Sequence, residues 1–211
     1  MHILRPNFAW DRDGALDFVA ARGFGAVIAS GASGPISSHV PFSIRRTSEA
    51  VTVQFHLTGR NKLAELADGE NAFLLIVWGP DAYVSNDWYA TPDHVSTWLY
   101  EAVHLTGPVR RLSIDNNRGH GDTLLSTFEE RLTPKQPWSL STMQETKREA
   151  MLQGIVVLEM DVQRVEGQRK LNQHKSDDDY ASITRHLEQA ENADAREIAG
   201  KLKALRPHLK Y

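Results

Sequence analysis

The run His56-Leu57-Thr58-Gly59-Arg60-Asn61-Lys62 gathers residues able to hold an anion. A strand ends there, a glycine turns the chain, and two cations and an amide open a helix. Cationic side chains supply charge and the N–H groups of a helix start supply donors, a combination that suits a phosphate dianion. A solvated helix start with surface Arg and Lys explains the same spacing, and spacing alone favours that simpler account. A second group is aromatic. Trp78, Tyr83, Trp88, Tyr89, Trp98 and Tyr100 crowd one stretch of a chain that is only 8% aromatic. Flat rings near a cleft can hold a planar conjugated ligand, although core and subunit-interface positions account for most such residues. The third group, Gln168 to Lys175, is dense in hydrogen-bond donors. It reads either as a basic loop before a helix or as donors for a heterocycle or phosphate.

Other chemistries lack their signatures. There is no GxGxxG after the first strand, no P-loop, no HExxH and no GxSxG. The 9 histidines have no metal-ligand spacing, and 0 cysteines exclude disulfides, thiolate nucleophiles and iron–sulfur clusters. No residue stands out as an acid or base, so no catalytic residue is assigned. With 24 basic and 27 acidic residues the net charge is −3, which gives no global field for wrapping nucleic acid. At 211 residues and 41% hydrophobic the chain can bury a core of its own, so wholesale disorder is excluded. No signal peptide and no membrane-length apolar run is visible, and the expected location is cytoplasmic.

The elements that must position these groups follow from hydrophobic periodicity. Residues 11–22 read as an amphipathic helix stopped by Gly23. The runs FGAVIAS and ISSHVPFSI read as a hairpin, with Pro41 marking an edge, a bulge or a strand end. Residues 50–57 alternate as a third strand, 60–67 form a short helix, and 72–78 are a strand buried on both faces. A short strand is expected at 82–85, and strand material at 97–107 and 109–112 with a break near Gly107-Pro108. Helices are expected at 114–131 and 142–152, then a strand at 155–165 with a turn at Glu166-Gly167. Ser176 caps a helical tail. Alternating strands with local connections favour an antiparallel barrel or curled sheet over a doubly wound fold.

Several segments in order resemble the PaiB family, described as FMN-binding negative transcriptional regulators. They are FGAVIASGASGPISSHVPF, FHLTGRNK, WGPDAYVSNDWY, VSTWLYEAVHLTG, PWSL and GIVVLEMDVQRVEGQRKLNQHKSDDD, spanning Phe24 to Asp179. The resemblance implies a mainly β, α+β fold: an antiparallel, Greek-key-like FMN-binding split β-barrel with flanking helices and a helical C-terminal tail. A barrel domain over 1–175 and a helical extension over 176–211 follow, with the extension packed on the same domain. It also implies a homodimer with FMN at the subunit interface. Transferred motif by motif, the cofactor-binding residues are Ser38, His39, Val40 and Pro41 on one strand and His56, Arg60, Asn61 and Lys62 at the phosphate turn. Trp98 and Tyr100 are expected beside the ring, and Lys170 and Gln173 reach across from the partner; no metal is implied.

This sequence departs from the family pattern at several of these positions. Ser96 and Asn86 stand where proline is usual, and Leu99 where asparagine is usual. Asn61-Lys62 replaces Asn-Pro, and Asn172-Gln173-His174-Lys175 replaces Ser-Gln-Asn-Arg. Lys62 preserves or strengthens anion binding, whereas Leu99 removes an amide. Repression is implied by the family name, through contact with DNA or with another protein, but no helix-turn-helix with a basic recognition face is visible. An FMN-dependent oxidoreductase using NAD(P)H or another small molecule is the alternative.

Overall fold

Strict alternation along residues 51–58 determines one wall of the fold. In the computed structural model, which describes residues 1–211, this segment is strand β4 (Val51–Thr58). Val51, Val53, Phe55 and Leu57 point to one buried face, while Thr52, Gln54 and His56 point to the other. Its neighbours are β3 (Gly34–Arg46) and β7 (Ile155–Asp161), both antiparallel. Register places Phe55 opposite Phe42 on β3 and Leu158 on β7, so three fully buried side chains meet across adjacent strands. Strands β2 (Phe24–Gly31), β5 (Asp68–Val84) and β6 (Thr97–Arg111) complete this set. With β1 (Ala9–Trp10) and β8 (Arg164–Lys170), the strand order is β1-β8-β6-β5-β2-β3-β4-β7. Because β6 also pairs with β7, six of the eight strands close on themselves. This is an antiparallel split barrel, the fold class expected from the sequence.

Two compact units divide the chain. The first comprises Met1–Ala15, Trp78–Val103 and Glu166–Tyr211, and the second comprises Leu16–Val77 and His104–Val165. In the second unit, helix α3 (Asn116–Glu129) and helix α4 (Glu145–Gln153) accompany the strands. In the first unit, α5 (Asp177–Glu188) and α6 (Ala193–Leu205) bury Tyr180, Ile183, Leu187, Ile198 and Leu202 in one apolar cluster. Ser176 caps α5 as expected, its hydroxyl accepting from the Asp179 N–H at 3.3 Å. The N-terminal helix α1 (Arg12–Arg22) ends at Gly23, whose φ of +63° is the left-handed conformation that glycine accepts most readily.

Two glycines that read as breaks prove to be packing positions. The expected interruption near Gly107-Pro108 is absent, and β6 runs unbroken from Thr97 to Arg111. A Cβ at Gly107 would lie 1.7 Å from the Asp161 carbonyl oxygen, so the residue is glycine because backbone crosses there. Likewise Glu166-Gly167 is not a turn but part of β8, with Gly167 paired to Trp10. A Cβ there would meet Trp10 at 2.8 Å and Ala15 at 2.9 Å. The reversal falls earlier, at Val162-Gln163, where the two N–H groups find the Val51 and Thr106 carbonyls. The short strand expected at 82–85 is the end of the long β5. Pro41 sits where the β2 ladder ends, opposite Phe24, and the β4 ladder begins one residue later at Phe42. A missing N–H is tolerated at such a handover.

Candidate functional site

The turn after β4 is held by one amide. Asn61 Nδ2 donates to the Ser38 hydroxyl at 2.9 Å, and Asn61 Oδ1 accepts from the Leu63 N–H at 3.0 Å. This ties β3 to the single-turn helix α2 (Lys62–Glu65). The N–H groups of Leu63 and Ala64 are consumed locally, because Asn61 Oδ1 takes the first and the Asn61 carbonyl the second. Side-chain charge adds to the donors that remain for an anion. Arg60 and Lys62 are both exposed, and neither forms an ion pair with an acid. Lys62 borders a cavity of about 560 Å³ whose other walls include Gly31 to Ile36 of the β2–β3 hairpin. The Ser38 hydroxyl accepts from Asn61 and so keeps its own proton to donate. Glu65 also lines the Lys62 cavity, whereas Arg60 and Ser38 do not; by type, two cations without an acid partner and a hydroxyl free to donate are groups a phosphate dianion takes.

The strand residues split by face. Val40 is 2% exposed and lies in the core with Phe42, so only its backbone is available to a ligand. His39 and Pro41 lie on the opposite face, His39 stacked on Phe24 with ring centroids 6.4 Å apart. Pro41 and His56 line a separate apolar cavity of about 310 Å³ beneath α3 and α4, together with Leu124, Phe128 and Trp138. His56 Nδ1 lies 2.9 Å from Nε2 of the buried His120, so the structure engages His56 with α3. Burial pushes both imidazole pKa values down, and for His120 burial plus the neighbouring His56 bring it to about 4. Both rings are neutral at pH 7. His120 Nδ1 has no partner, which favours placing the His120 proton on Nε2, donated to His56, since a bare acceptor costs less than a buried orphan donor.

The remaining expected residues lie in the first unit. Trp98 is 53% exposed and meets Tyr83 edge to face at 5.8 Å. Tyr100 shares Trp98's face of β6 and donates its hydroxyl to Gln168 at 3.0 Å. Lys170 Nζ lies 6.0 Å from the Tyr100 ring centre and donates to the Thr97 hydroxyl at 2.7 Å. Gln173 is satisfied within its own turn, accepting from the Leu171 N–H and donating to the Arg169 carbonyl. Leu99 points to the other face of β6, fully buried against Leu171 and Tyr180, so its apolar side chain contributes to the core of this unit.

Sequence reasoning did not single out the buried charges of this unit. Glu101, 1% exposed, sits 2.8 Å from Arg169 Nε, with Lys201 Nζ 2.9 Å from its other oxygen. Asp179 is held below the usual carboxylate range: burial would raise it, but hydrogen bonds from Thr91 and Ser176 outweigh that penalty. Its carboxylate faces His94 Nε2 at 3.1 Å, while His94 Nδ1 faces Lys175 Nζ at 2.9 Å. The partners of Asp179 lie up to 88 positions from it in the chain, and no local spacing announces them.

Comparison with known proteins agrees with this architecture. A family described as "Putative FMN-binding domain" matches residues 1–164. "Protease synthase and sporulation protein PAI 2" of Bacillus subtilis (strain 168) is 26% identical over 183 residues, covering 87% of each chain. Among solved structures, the FAD and heme binding protein from Mycobacterium smegmatis superposes with a TM-score of 0.57 at 15% identity. That match covers 82% of this chain and 78% of the other. The flavocytochrome Anf3 from Azotobacter vinelandii gives a TM-score of 0.54 at 16% identity over 80% of this chain and 72% of its own. At those identities the two structures establish a shared fold. No helix is long and apolar enough to cross a membrane.

Proposed function

Because this chain belongs to the FMN-binding domain family, we propose that it holds FMN between two copies of itself and serves as a flavin-bound negative regulator akin to PAI 2. The observation that carries this reading is the pair of unpaired cations Arg60 and Lys62 beside the Asn61–Ser38 bridge. Arg60 and Lys62 neutralise the phosphate, and the Ser38 hydroxyl donates to one of its oxygens. Backbone groups of β3 from His39 to Pro41 run past the polar edge of the ring. Trp98 and Tyr100 cover a ring face, and Lys170 approaches from the second subunit with Gln173 shaping its turn. His56, held by His120 of α3, steadies the end of β4 that leads into the turn. The exposed pair Trp98 and Tyr83 supports a subunit contact, since aromatics left half in water are enriched at interfaces. FMN supplies redox chemistry when bound, whereas the protein supplies orientation and electrostatics.

The test compares FMN with riboflavin, which lacks the phosphate. Changing Arg60 and Lys62 together to Ala is expected to weaken FMN on the order of tenfold to a hundredfold or more while sparing riboflavin. Equal loss for both ligands removes the phosphate assignment. NAD(P)H oxidation well above the free-flavin background moves the reading to an FMN-dependent oxidoreductase. A salt-sensitive gel shift on the protein's own upstream DNA makes the regulation direct, although the sequence carries no DNA-binding motif.

A further inference from the structure

A second collection of positive charge lies in the first unit, around a cavity of about 180 Å³. Arg5, Lys170 and Lys175 line it, and no carboxylate does. Phe8 and Tyr89 give it apolar walls. Asn172 also lines the cavity, is 1% exposed, and leaves both side-chain polar atoms without a hydrogen-bond partner. The Tyr89 phenol is near enough for the amide to oppose part of the burial that raises its pKa, but the two form no well-aligned hydrogen bond. Native interiors rarely leave a buried amide unsatisfied, and such an orphan points to a missing ligand or water.

The backbone explains why this amide is here. Asn172 follows β8 with φ of +58°, a left-handed conformation that Asn adopts more easily than most residues. That turn aims the side chain inward, and the next turn returns Lys175 to the same cavity, its N–H bonded to the Asn172 carbonyl at 2.9 Å. Lys175 is then fixed from behind. Asp179 faces His94 Nε2, which places the imidazole proton there and leaves the Nδ1 lone pair to accept from the Lys175 ammonium. Below, the Tyr89 ring lies 4.5 Å from the same ammonium. Lys170 is held separately by Thr97.

The cations are only partly compensated. Burial pushes the Lys170 and Lys175 pKa values down; at Lys175 the Asp179 carboxylate opposes the shift and Arg5 adds repulsion. At His174, which also lines the cavity, burial acts first, and repulsion from Arg5, Lys175, Lys170 and His94 adds to it. Binding an anion relieves this repulsion and converts an unfavourable cluster into a site.

We propose that the cavity bounded by Arg5, Lys170, Asn172 and Lys175 binds a small organic oxyanion, a carboxylate or phosphate ester carried on a flat apolar body. The oxyanion meets Lys175 and Arg5, Asn172 reads a neighbouring polar group, and Phe8 and Tyr89 receive the ring. The volume suits one ring, since a cavity of about 150 Å³ accepts benzene, and it is too small for an isoalloxazine. This inference shares Lys170 with the flavin reading above but is carried by Arg5, Asn172 and Lys175 of the first unit, which that reading does not use.

The experiment is calorimetric titration of the FMN-saturated protein with benzoate and phenyl phosphate, using benzyl alcohol as the neutral control. Both anions are expected to bind, with affinity falling as salt is added, and the alcohol is not. Lys175→Gln and Asn172→Asp are each expected to weaken the anions about tenfold or more, the second by placing a like charge at an isosteric position. Asn172→Asp preserves shape and left-handed tolerance, and Lys175→Gln removes charge from a partly exposed side chain, so at least one variant remains folded for the test. Absence of binding at millimolar anion overturns the proposal, as does equal binding by wild type and both variants. If phenyl phosphate displaces FMN, the cavity serves the flavin's own phosphate and no separate site exists. Failure of Arg60 and Lys62 substitution to affect FMN leaves these outcomes unchanged, so the two readings fail independently.

Discussion

The turn that follows β4 and the cavity that follows β8 both gather cations, but they hold them in opposite ways. Arg60 lies in the turn before a one-turn helix and Lys62 opens that helix, both exposed, and Asn61 and Ser38 are fixed by hydrogen bonds. Around Asn172, each lysine is anchored by a named partner: Thr97 for Lys170 and the His94–Asp179 pair for Lys175. Exposed charge is well solvated and costs little to keep, so an open turn can wait for a large, highly charged ligand. Half-buried charge is costly without a counter-ion, so a site of this kind must be held open by surrounding structure. Elsewhere in the first unit, the buried Glu101 pairs with both Arg169 and Lys201.

This contrast can be broken most forcefully at Glu101. Replacing it with Ala leaves Arg169 and Lys201 beside a partly buried hole and is expected to cost about 3–5 kcal/mol. Thermal unfolding followed by circular dichroism reads the loss, and a small shift in melting temperature means that the charges of this unit are not structural. A smaller effect tests whether the second unit also carries a buried charge-sensitive element. His120 has a folded pKa of about 4 against an ordinary 6.5, so the unfolded chain takes up the proton first as pH falls. Stability is complete above about 6.5 and is lost as pH drops toward 4, by up to about 3 kcal/mol. Replacing His120 with Asn is expected to flatten this acid limb of denaturation, and an unchanged slope assigns the limb to other groups. The smallest effect belongs to the turn itself. Changing Arg60 and Lys62 to Ala is expected to leave the melting temperature of the flavin-free protein where it is. A marked drop there means that those cations stabilise the fold and are not simply available to a ligand.

Much of the basic turn was legible because its signals are local. The cations of the turn are two residues apart, and Asn61 is the kind of residue that caps a helix. The alternation of residues 50–57 was legible as a strand, which is β4. His56 was legible as a strand residue, but its partner, His120, is 64 residues along the chain. The cavity was half legible. Gln168 to Lys175 showed an excess of donors, but Arg5, Phe8 and Tyr89 come from segments that sequence gives no reason to join to it. The two misread glycines have a common cause: absence of a Cβ serves a turn and a close backbone crossing equally well, and only the crossing partner distinguishes them.

Period, capping and charge spacing determined the strands of the barrel, the start of α5 and the presence of a basic turn, because each is written within a few consecutive residues. Tertiary structure alone decided which face of β3 and β4 is core, that Gly107 and Gly167 are crossings, and that Asn172 is buried without a partner. Those outcomes depend on which distant segments share a space, and burial, orphaned polar groups and repulsion among cations exist only once the chain has folded.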